Sequence, residues 1–158
     1  MARGVPIVTL QWIESCKQSA MFVDCNKFSV KDSATEKQYK FSLSRSLERA
    51  KESSLLQGYR IHVTKSVKPD PSQMAEIINC AGGEYLTTMP KKKGDKTVII
   101  SCPEDDSLCK TATKAGIPIV SSEFILTGIL KQEVSINSYT LHPDQDILNT
   151  STGGRKRR

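Results

Sequence analysis

Gly4-Val-Pro-Ile-Val-Thr-Leu-Gln-Trp-Ile13 occurs a second time in this chain as Gly116-Ile-Pro-Ile-Val-Ser-Ser-Glu-Phe-Ile125, at an offset of 112 residues. The glycine, the proline, both isoleucines and the valine are identical in the two copies. Thr9 corresponds to Ser121, and the aromatic Trp12 corresponds to Phe124. Such self-similarity at a fixed offset indicates two copies of one structural unit.

Each copy predicts a short strand followed by a helix. Pro6 to Val8 and Pro118 to Val120 are apolar runs typical of buried strands, a hydroxyl residue follows at the expected N-cap, and the helix then carries its aromatic in the first turn. A later aromatic, Phe28 or Tyr139, follows each helix. If the unit spans about a hundred residues, the first copy holds only its final strand and helix. We therefore expect its beginning upstream of residue 1.

The segment between the copies begins with a linker and continues into a complete unit. Apolar residues from Phe41 to Ala50 recur near a helical stripe, which predicts one linker helix over residues 36–55. The alternating pattern of Tyr59 to Thr64 predicts the first strand of the complete unit.

A capped helix is expected after that strand. Asp70 is the predicted N-cap and Pro71 the first helical residue. Gly82-Gly83 ends the helix, where a left-handed backbone is needed. Its apolar stripe, with the i, i+3, i+4, i+7 spacing of one helix face, consists of Met74, Ile77, Ile78 and Ala81.

Two further strands and a helix complete the unit before the second copy. Tyr85 to Thr88 is predicted as a strand, and Thr97 to Ser101 is an apolar run suited to the middle of a sheet that is covered on both faces. Pro103 opens an acidic helix that closes at Gly116. The order β-α-β-β-α-β-α predicts an α/β protein with three layers around a four-stranded parallel sheet.

These residues resemble the BRCT family, and tandem BRCT-repeat proteins in particular. The strings that carry the likeness are Phe41-Ser-Leu-Ser, Gln73-Met-Ala-Glu-Ile-Ile, Cys80-Ala-Gly-Gly and Phe124-Ile-Leu-Thr-Gly-Ile-Leu-Lys-Gln. The resemblance implies the BRCT fold, a four-stranded parallel sheet flanked by helices, preceded by the last strand and helix of a truncated first repeat. The expected domains are residues 1–30 (remnant), 31–57 (linker with helix), 58–142 (complete second repeat) and 143–158 (basic flexible tail). Trp12, Phe124, Gly82 and Gly83 are expected to be structural.

The resemblance also implies a DNA-damage-response scaffold in the nucleus, an adaptor of checkpoint signalling on chromatin. It implies recognition of a phosphoserine at the C-terminal tail of a protein such as a damage-marked histone. Such recognition needs a Ser/Thr hydroxyl, a backbone N–H at a following glycine, and a lysine, all in the first repeat. In the complete repeat the nearest counterpart is Thr64-Lys65, but the glycine is replaced, so we assign no phosphate ligand in this chain.

Half of the peptide groove is expected in the complete repeat. By resemblance, Gln73, Glu123 and Thr127 line the pocket for the residue downstream of the phosphoserine. Glu123 could instead simply favour a helix N-terminus, and Gln73 could be solvated. Without the rest of the first repeat, we expect the chain alone to bind phosphopeptide weakly or not at all, and some apolar surface to be exposed on the two helices that carry these residues, at Met74, Ile77, Ile78, Ile125 and Ile129.

The basic residues allow an alternative function, binding of DNA or another polyanion. The net charge is +6, but without Arg155, Lys156, Arg157 and Arg158 it falls to +2, which leaves one other cluster, Lys91 to Lys93. Weak DNA binding through this loop and the tail is therefore the second hypothesis. The tail itself is predicted as a nuclear import signal or as a solvated terminus.

Catalysis, cofactors and membrane insertion are not expected. The five cysteines show no C-x-x-C spacing, and His62 and His142 have no partners at motif spacing. Asp105-Asp106 superficially resembles the acidic pair of receiver domains, but that pair belongs after the first strand, where this chain has Thr64-Lys65. No apolar run approaches the roughly 20 residues of a membrane span. Besides the phosphorylated tail, other damage-response proteins are the expected partners.

Overall fold

The computed structural model of the protein describes residues 1–141, which contain one four-stranded sheet. Its strands are β1 (Arg60–Val63), β2 (Glu84–Leu86), β3 (Thr97–Ile100) and β4 (Ile119–Val120). They pair in the order β2-β1-β3-β4, and every pairing is parallel. Since parallel neighbours need long crossovers, one helix lies in the connection from β1 to β2 and another in that from β3 to β4, whereas β2 and β3, which are not neighbours in the sheet, are joined by a loop. The predicted α/β class and strand number are confirmed.

Helices precede the sheet and also follow β1, β3 and β4. Those before β1 are α1 (Gln11–Ser19), α2 (Ser33–Tyr39) and α3 (Leu43–Glu52). Those after β1 are α4 (Pro71–Cys80), α5 (Asp106–Lys114), α6 (Glu123–Lys131) and the short α7 (Ile136–Tyr139). In the described part of the chain, no helix is long and apolar enough to cross a membrane.

The sheet lies between two groups of helices. All four residues of β3 are buried, and because successive side chains of a strand point to opposite faces, they enter two cores. Val98 and Ile100 belong to the larger core, with Met74 of α4 and Phe124 of α6, whereas Ile99 packs in a smaller core with Cys109 and Ala112 of α5. Helices α4 and α6 therefore cover one face and α5 covers the other.

Local signals set the ends of α4 as predicted. The Asp70 carboxylate accepts hydrogen bonds from two backbone N–H groups of the first turn, and Pro71 is the first helical residue. Beyond the helix, Gly82 has φ +83°, and a Cβ placed there would lie 2.4 Å from Cβ of Ser54. A Cβ on Gly83 would lie 3.0 Å from Cγ2 of Ile78. Both glycines are therefore required for the chain to turn tightly into β2.

The single linker helix predicted over residues 36–55 is wrong, because two helices occupy this region. Between α2 and α3, Lys40 adopts a left-handed φ of +52°. The Glu36 carboxylate then accepts a hydrogen bond of 2.7 Å from the N–H of Leu43, at the start of α3. This side chain satisfies a backbone donor that a continuous helix would have used internally.

The two copies of the repeated decapeptide adopt the same backbone. Gly4 and Gly116 have left-handed φ values of +64° and +70°, and a helix follows each. These helices, α1 and α6, end at Ala20 and Gln132, both with φ +52°. Because residues other than glycine rarely adopt this conformation, its recurrence at the offset of the sequence repeat shows that the second copy reproduces the first in three dimensions.

An antiparallel bridge closes each copy. Val8 pairs with Ser29 in the first copy, and Val120 pairs with Thr140 in the second. The neighbouring backbone hydrogen bonds also correspond, from Thr9 N–H to the Phe28 carbonyl and from Ser121 N–H to the Tyr139 carbonyl, both 2.9 Å. Phe28 and Tyr139 therefore occupy equivalent positions in the two copies, each after the helix of its copy.

The predicted strand and N-cap of the first copy are wrong in detail. Val8 makes one bridge and no strand forms there in the described residues. The N-cap of α1 is Leu10 and not a hydroxyl residue, whereas that of α6 is a hydroxyl residue, Ser122, whose side chain makes no capping hydrogen bond. Thr9 and Ser121 donate their N–H groups across the bridge, and each helix begins two residues later.

The copies differ sharply in burial. Val120, Phe124 and Ile125 have no exposed surface, whereas Ile13, which corresponds to Ile125, is 58% exposed. We expected exposed apolar surface on α4 and α6. This expectation is wrong for Met74, Ile78 and Ile125, which are fully buried, whereas Ile77 and Ile129 are partly buried. Leu55, Tyr59, Val134 and Ile136 pack against this core. Most of the exposed large apolar side chains in the described residues lie instead on the first copy, at Val5, Leu10, Ile13, Met21 and Phe22.

Candidate functional site

The three predicted groove residues lie on two helices of one face of the sheet. Glu123 and Thr127 are one turn apart on α6, and the Thr127 hydroxyl donates a hydrogen bond to the Glu123 carboxylate. Gln73 is exposed in the first turn of α4, where its backbone N–H donates to Asp70. The structure therefore joins Glu123 to Thr127 directly and leaves the Gln73 side chain without a hydrogen bond in the described part of the chain.

Helix α3 connects the first copy to α6. Near the end of α6, the Ser46 hydroxyl donates to the Leu130 carbonyl, and Arg49 donates to the Lys131 carbonyl at 3.2 Å and pairs with Glu133. At its other contact, α3 supports the turn at Gly4, where a Cβ would lie 2.7 Å from Cγ of Lys51 and 3.1 Å from the Leu47 carbonyl. The linker thus fixes the first copy relative to the helix that carries Glu123 and Thr127. The sequence predicts a helix in this region but none of these contacts.

The turn after β1 holds a buried carboxylate. The Asp105 side chain accepts two hydrogen bonds of 2.7 Å, from the backbone N–H and from the hydroxyl of Ser66. Thr64 in the same turn is buried, and its hydroxyl lies 3.1 Å from that of Ser101. Asp105 is 1% exposed. Sequence reasoning missed this pairing because 39 residues separate the two partners.

The pKa of Asp105 lies below its ordinary value of 3.8. Burial acts to raise this pKa, but the two hydrogen bonds from Ser66 and one from Thr64 lower it, as does the charge of Lys65. Hydrogen bonds to the charged form of a carboxyl group stabilise that form. The turn therefore surrounds a carboxylate anion rather than a carboxylic acid.

The basic loop and a cavity after β3 are formed by residues other than the predicted groove residues. Lys91, Lys92 and Lys93 are exposed in the loop between β2 and β3. A cavity of about 320 Å³ lies directly after β3 and is lined by Ser101, Cys102, Pro103, Asp106 and Leu141. Burial raises the pKa of Cys102, and a hydrogen bond with Glu104 acts in the same direction. A raised pKa disfavours the reactive thiolate.

The remaining predicted features have simple structural places. His62 Nδ1 lies 2.8 Å from the Leu86 carbonyl, which links β1 to β2. In the described residues all five cysteines are free, and no three metal-ligating side chains form a cluster. His142 and the basic tail, including Arg155, Lys156, Arg157 and Arg158, lie outside the described residues.

The parallel sheet with α4 and α6 on one face and α5 on the other matches a known family. Residues 54–140 match the family model described as "BRCT domain". The chain therefore belongs to the BRCT domain family, which confirms the family predicted from its sequence motifs. It is also similar in fold to the crystal structure of the Schizosaccharomyces pombe Brc1 BRCT5-BRCT6 domains, with a TM-score of 0.67 and 23% identity, over 86% of this chain and 72% of that one.

Two named proteins are similar in sequence. The chain is 42% identical over 143 residues to human Mediator of DNA damage checkpoint protein 1, an alignment that covers 90% of this chain and 7% of that protein. It is 35% identical over 143 residues to bovine PAX-interacting protein 1, which covers 84% of this chain and 14% of that protein. The chain thus spans a small part of the length of either relative. Because the human alignment takes in 90% of the chain, it extends well before residue 54, into the first copy.

Proposed function

We propose that this chain is a phosphoprotein-recognition module of a nuclear DNA-damage-response scaffold, without catalytic activity. The observation that carries the proposal is the 42% identity to a protein named as a mediator of the DNA damage checkpoint. The alignment includes both the complete BRCT domain and most of the segment before it, so the likeness extends to the arrangement of two units. The ligand we infer is a phosphoserine close to the C-terminus of a protein tail, as on a damage-marked histone.

The proposal assigns residues 1–30 to the end of a preceding BRCT repeat, 31–57 to the linker, 58–142 to the complete repeat and 143–158 to a basic tail. Its support is the shared backbone of the two copies and the apolar surface of the first copy, which includes Phe22 at 88% exposure. In the second copy the equivalent surface is covered by the sheet and α4. A preceding repeat would cover the first copy in the same way.

The groove divides between the two repeats in this proposal. Gln73, Glu123 and Thr127 would contact the residue downstream of the phosphoserine, since they lie on α4 and α6 on one side of the sheet. The preceding repeat would hold the phosphate. Support for that division comes from Asp105, whose carboxylate already engages the donors of the turn after β1. A second anion there would be repelled by the first.

Calorimetry with a C-terminal phosphoserine peptide tests the proposal. The ligands are the phosphorylated peptide and its unphosphorylated form, and the proteins are the full chain and a chimera. In the chimera, the chain is preceded by the segment of the human relative that comes directly before the aligned region. We expect micromolar binding by the chimera that requires the phosphate, and binding by the chain alone at least about tenfold weaker, a loss of 1.4 kcal/mol or more.

Variants of the chimera test the groove residues. Thr127→Ala removes the hydroxyl bonded to Glu123 and should weaken peptide binding severalfold. Its matched control is Thr113→Ala, which removes a hydroxyl bonded to the carbonyl four residues earlier in α5, on the opposite face of the sheet. Equal effects of the two changes would contradict the groove assignment. Micromolar binding by the unextended chain that is lost on dephosphorylation would contradict the assignment of the phosphate ligands to a preceding repeat.

DNA binding remains a second candidate because Lys91 to Lys93 are exposed together. Affinity that falls steeply with salt would support this alternative, and failure to retard a DNA duplex at low salt would exclude it. The proposed nuclear location rests on the damage-response relatives and on the basic tail. A fluorescent fusion that remains nuclear after Arg155 to Arg158 are replaced by alanine would remove the role of the tail as an import signal.

A further inference from the structure

The turn that follows β1 has the donors of an anion site. Two oxygens of one carboxylate each receive a hydrogen bond of 2.7 Å, from Ser66 N–H and from Ser66 Oγ. Thr64 contributes a further hydroxyl, and Lys65 a positive charge. The carboxylate belongs to Asp105, which is 1% exposed. Backbone N–H and hydroxyl groups that converge in this way, with a positive charge in the vicinity, are the groups that bind free carboxylates and phosphates in proteins.

The anion in this site comes from a different element than its donors. The donors follow β1, whereas Asp105 stands between β3 and α5. The turn is held independently of Asp105 on at least two sides, because Thr64 N–H donates to the Ile100 carbonyl at 3.0 Å and the Thr64 hydroxyl pairs with Ser101. Loss of the Asp105 side chain would therefore leave the Ser66 N–H and hydroxyl in place without their carboxylate acceptor, on an exposed residue that an external anion can reach. Two donors aimed at one point favour an anion there, because hydrogen bonds to a charged acceptor are stronger than those to a neutral one.

We propose that Thr64, Lys65 and Ser66 form an oxyanion-binding site that Asp105 occupies from within the chain, and that this occupation closes the complete repeat to external carboxylate and phosphate groups. The inference goes beyond the proposed function, because it concerns an anion site inside the complete repeat and holds whether or not the groove binds a peptide. It makes Asp105 a residue that determines specificity by excluding ligands. A carboxylate fits the site directly, and a phosphate presents oxygens of the same kind.

Replacement of Asp105 by alanine in the full chain should open the site. The probes are sodium formate, which matches the missing carboxylate, and inorganic phosphate, each compared with sodium chloride at equal ionic strength. The melting temperature should rise hyperbolically with formate or phosphate for Asp105→Ala and remain unchanged for the natural chain. With ligand tenfold above its Kd, we expect a rise of roughly 4 °C.

Two further variants separate site binding from general salt effects. Glu104→Ala removes one negative charge at an exposed neighbouring position and leaves the site filled, so it should behave like the natural chain. Asp105→Ala combined with Ser66→Ala removes one donor and should reduce the apparent affinity for formate at least about fivefold, since a charge-assisted hydrogen bond is lost.

The outcomes are distinct. If Asp105→Ala folds and shows the same formate and phosphate response as Glu104→Ala, the proposal is wrong. If Asp105→Ala is unfolded in chloride, the titration is followed by far-ultraviolet circular dichroism. Recovery of helical signal with formate or phosphate, but not with chloride, then supports the site, and failure to recover with either anion overturns it. A specific phosphate response of the natural chain would likewise show that Asp105 does not close the site.

Discussion

Replacing each aromatic of the repeated unit by alanine should affect stability to very different extents. Phe124 is fully buried, and its ring centroid lies 5.9 Å from that of Tyr59. Truncation of a buried phenylalanine to alanine costs about 3–5 kcal/mol. Since Phe124→Ala also loses the aromatic contact with Tyr59, we expect a cost of about 4 kcal/mol. Trp12 is only half-buried. It donates one hydrogen bond of 2.9 Å to the Val23 carbonyl and stacks on the exposed Phe22.

The expected cost of Trp12→Ala is therefore much smaller. Loss of one hydrogen bond contributes about 1 kcal/mol, and partial loss of apolar contact about the same again, which gives about 2 kcal/mol. Urea unfolding followed by far-ultraviolet circular dichroism measures both free energies, since Trp12 is the one tryptophan and fluorescence would change with the variant itself. Hydrogen exchange of the β3 amides localises the effect. Phe124→Ala should accelerate it about 1,000-fold, whereas Trp12→Ala should accelerate it at most about 30-fold, in keeping with its smaller cost.

The comparison depends on burial alone, because both aromatics stand in the same turn of equivalent helices. A cost of Trp12→Ala equal to that of Phe124→Ala, together with an equal acceleration of exchange in β3, would contradict the predicted difference in burial. Such a result would mean that the first copy belongs to the core of the complete repeat. Conservative Phe124→Leu is the control, and it should cost less than the alanine change because it retains most of the buried volume.

Two further changes test the turns. Gly82→Ala should lower stability by about 3 kcal/mol in a thermal or urea titration, because φ +83° disfavours a side chain and Cβ would lie 2.4 Å from Ser54; a loss below about 1 kcal/mol would show that the turn relaxes easily. The second concerns pH. Because hydrogen bonds hold the pKa of Asp105 below 3.8 in the folded state, the unfolded chain takes up this proton first as the pH falls. The stabilisation by Asp105 is complete above pH 3.8 and decreases below it, through the folded-state pKa. The measurement is the unfolding free energy as a function of acid pH, and the difference between the natural chain and Asp105→Asn should isolate this decrease. If the unfolding free energies of the two proteins fall with the same slope, the prediction is contradicted.

Features that depend on a few neighbouring residues were predictable from the sequence. The start of α4 follows from Asp70 and Pro71, because a side chain caps a helix from within its own turn. Its end follows from Gly82, which alone takes the required φ without strain. The apolar run at Thr97 also identified the central strand. The prediction of one continuous helix failed at Lys40. There the side chain of Glu36 accepts a hydrogen bond from the backbone N–H of Leu43, seven residues later.

The candidate site was predictable only in part. Resemblance pointed to Gln73, Glu123 and Thr127, and the geometry adds the hydrogen bond between the last two. Their role in a groove stays a prediction. The hydrogen bonds between Ser66, in the turn after β1, and Asp105 were not predictable, because 39 residues separate the two partners. The contact exists only once β3 has paired with β1 and aligned the ends of the two strands.

The sequence by itself determined that the chain contains one unit twice, and it determined the order of strands and helices in the complete repeat. The reason is that backbone conformation depends mainly on residues close in the chain, so similar decapeptides at Gly4 and Gly116 form the same turn and helix. Only the tertiary structure decided which copy buries its aromatic. Burial depends on what packs opposite a side chain, and the sheet and α4 cover Phe124 completely, while nothing equivalent in the described residues covers Trp12 and its apolar neighbours.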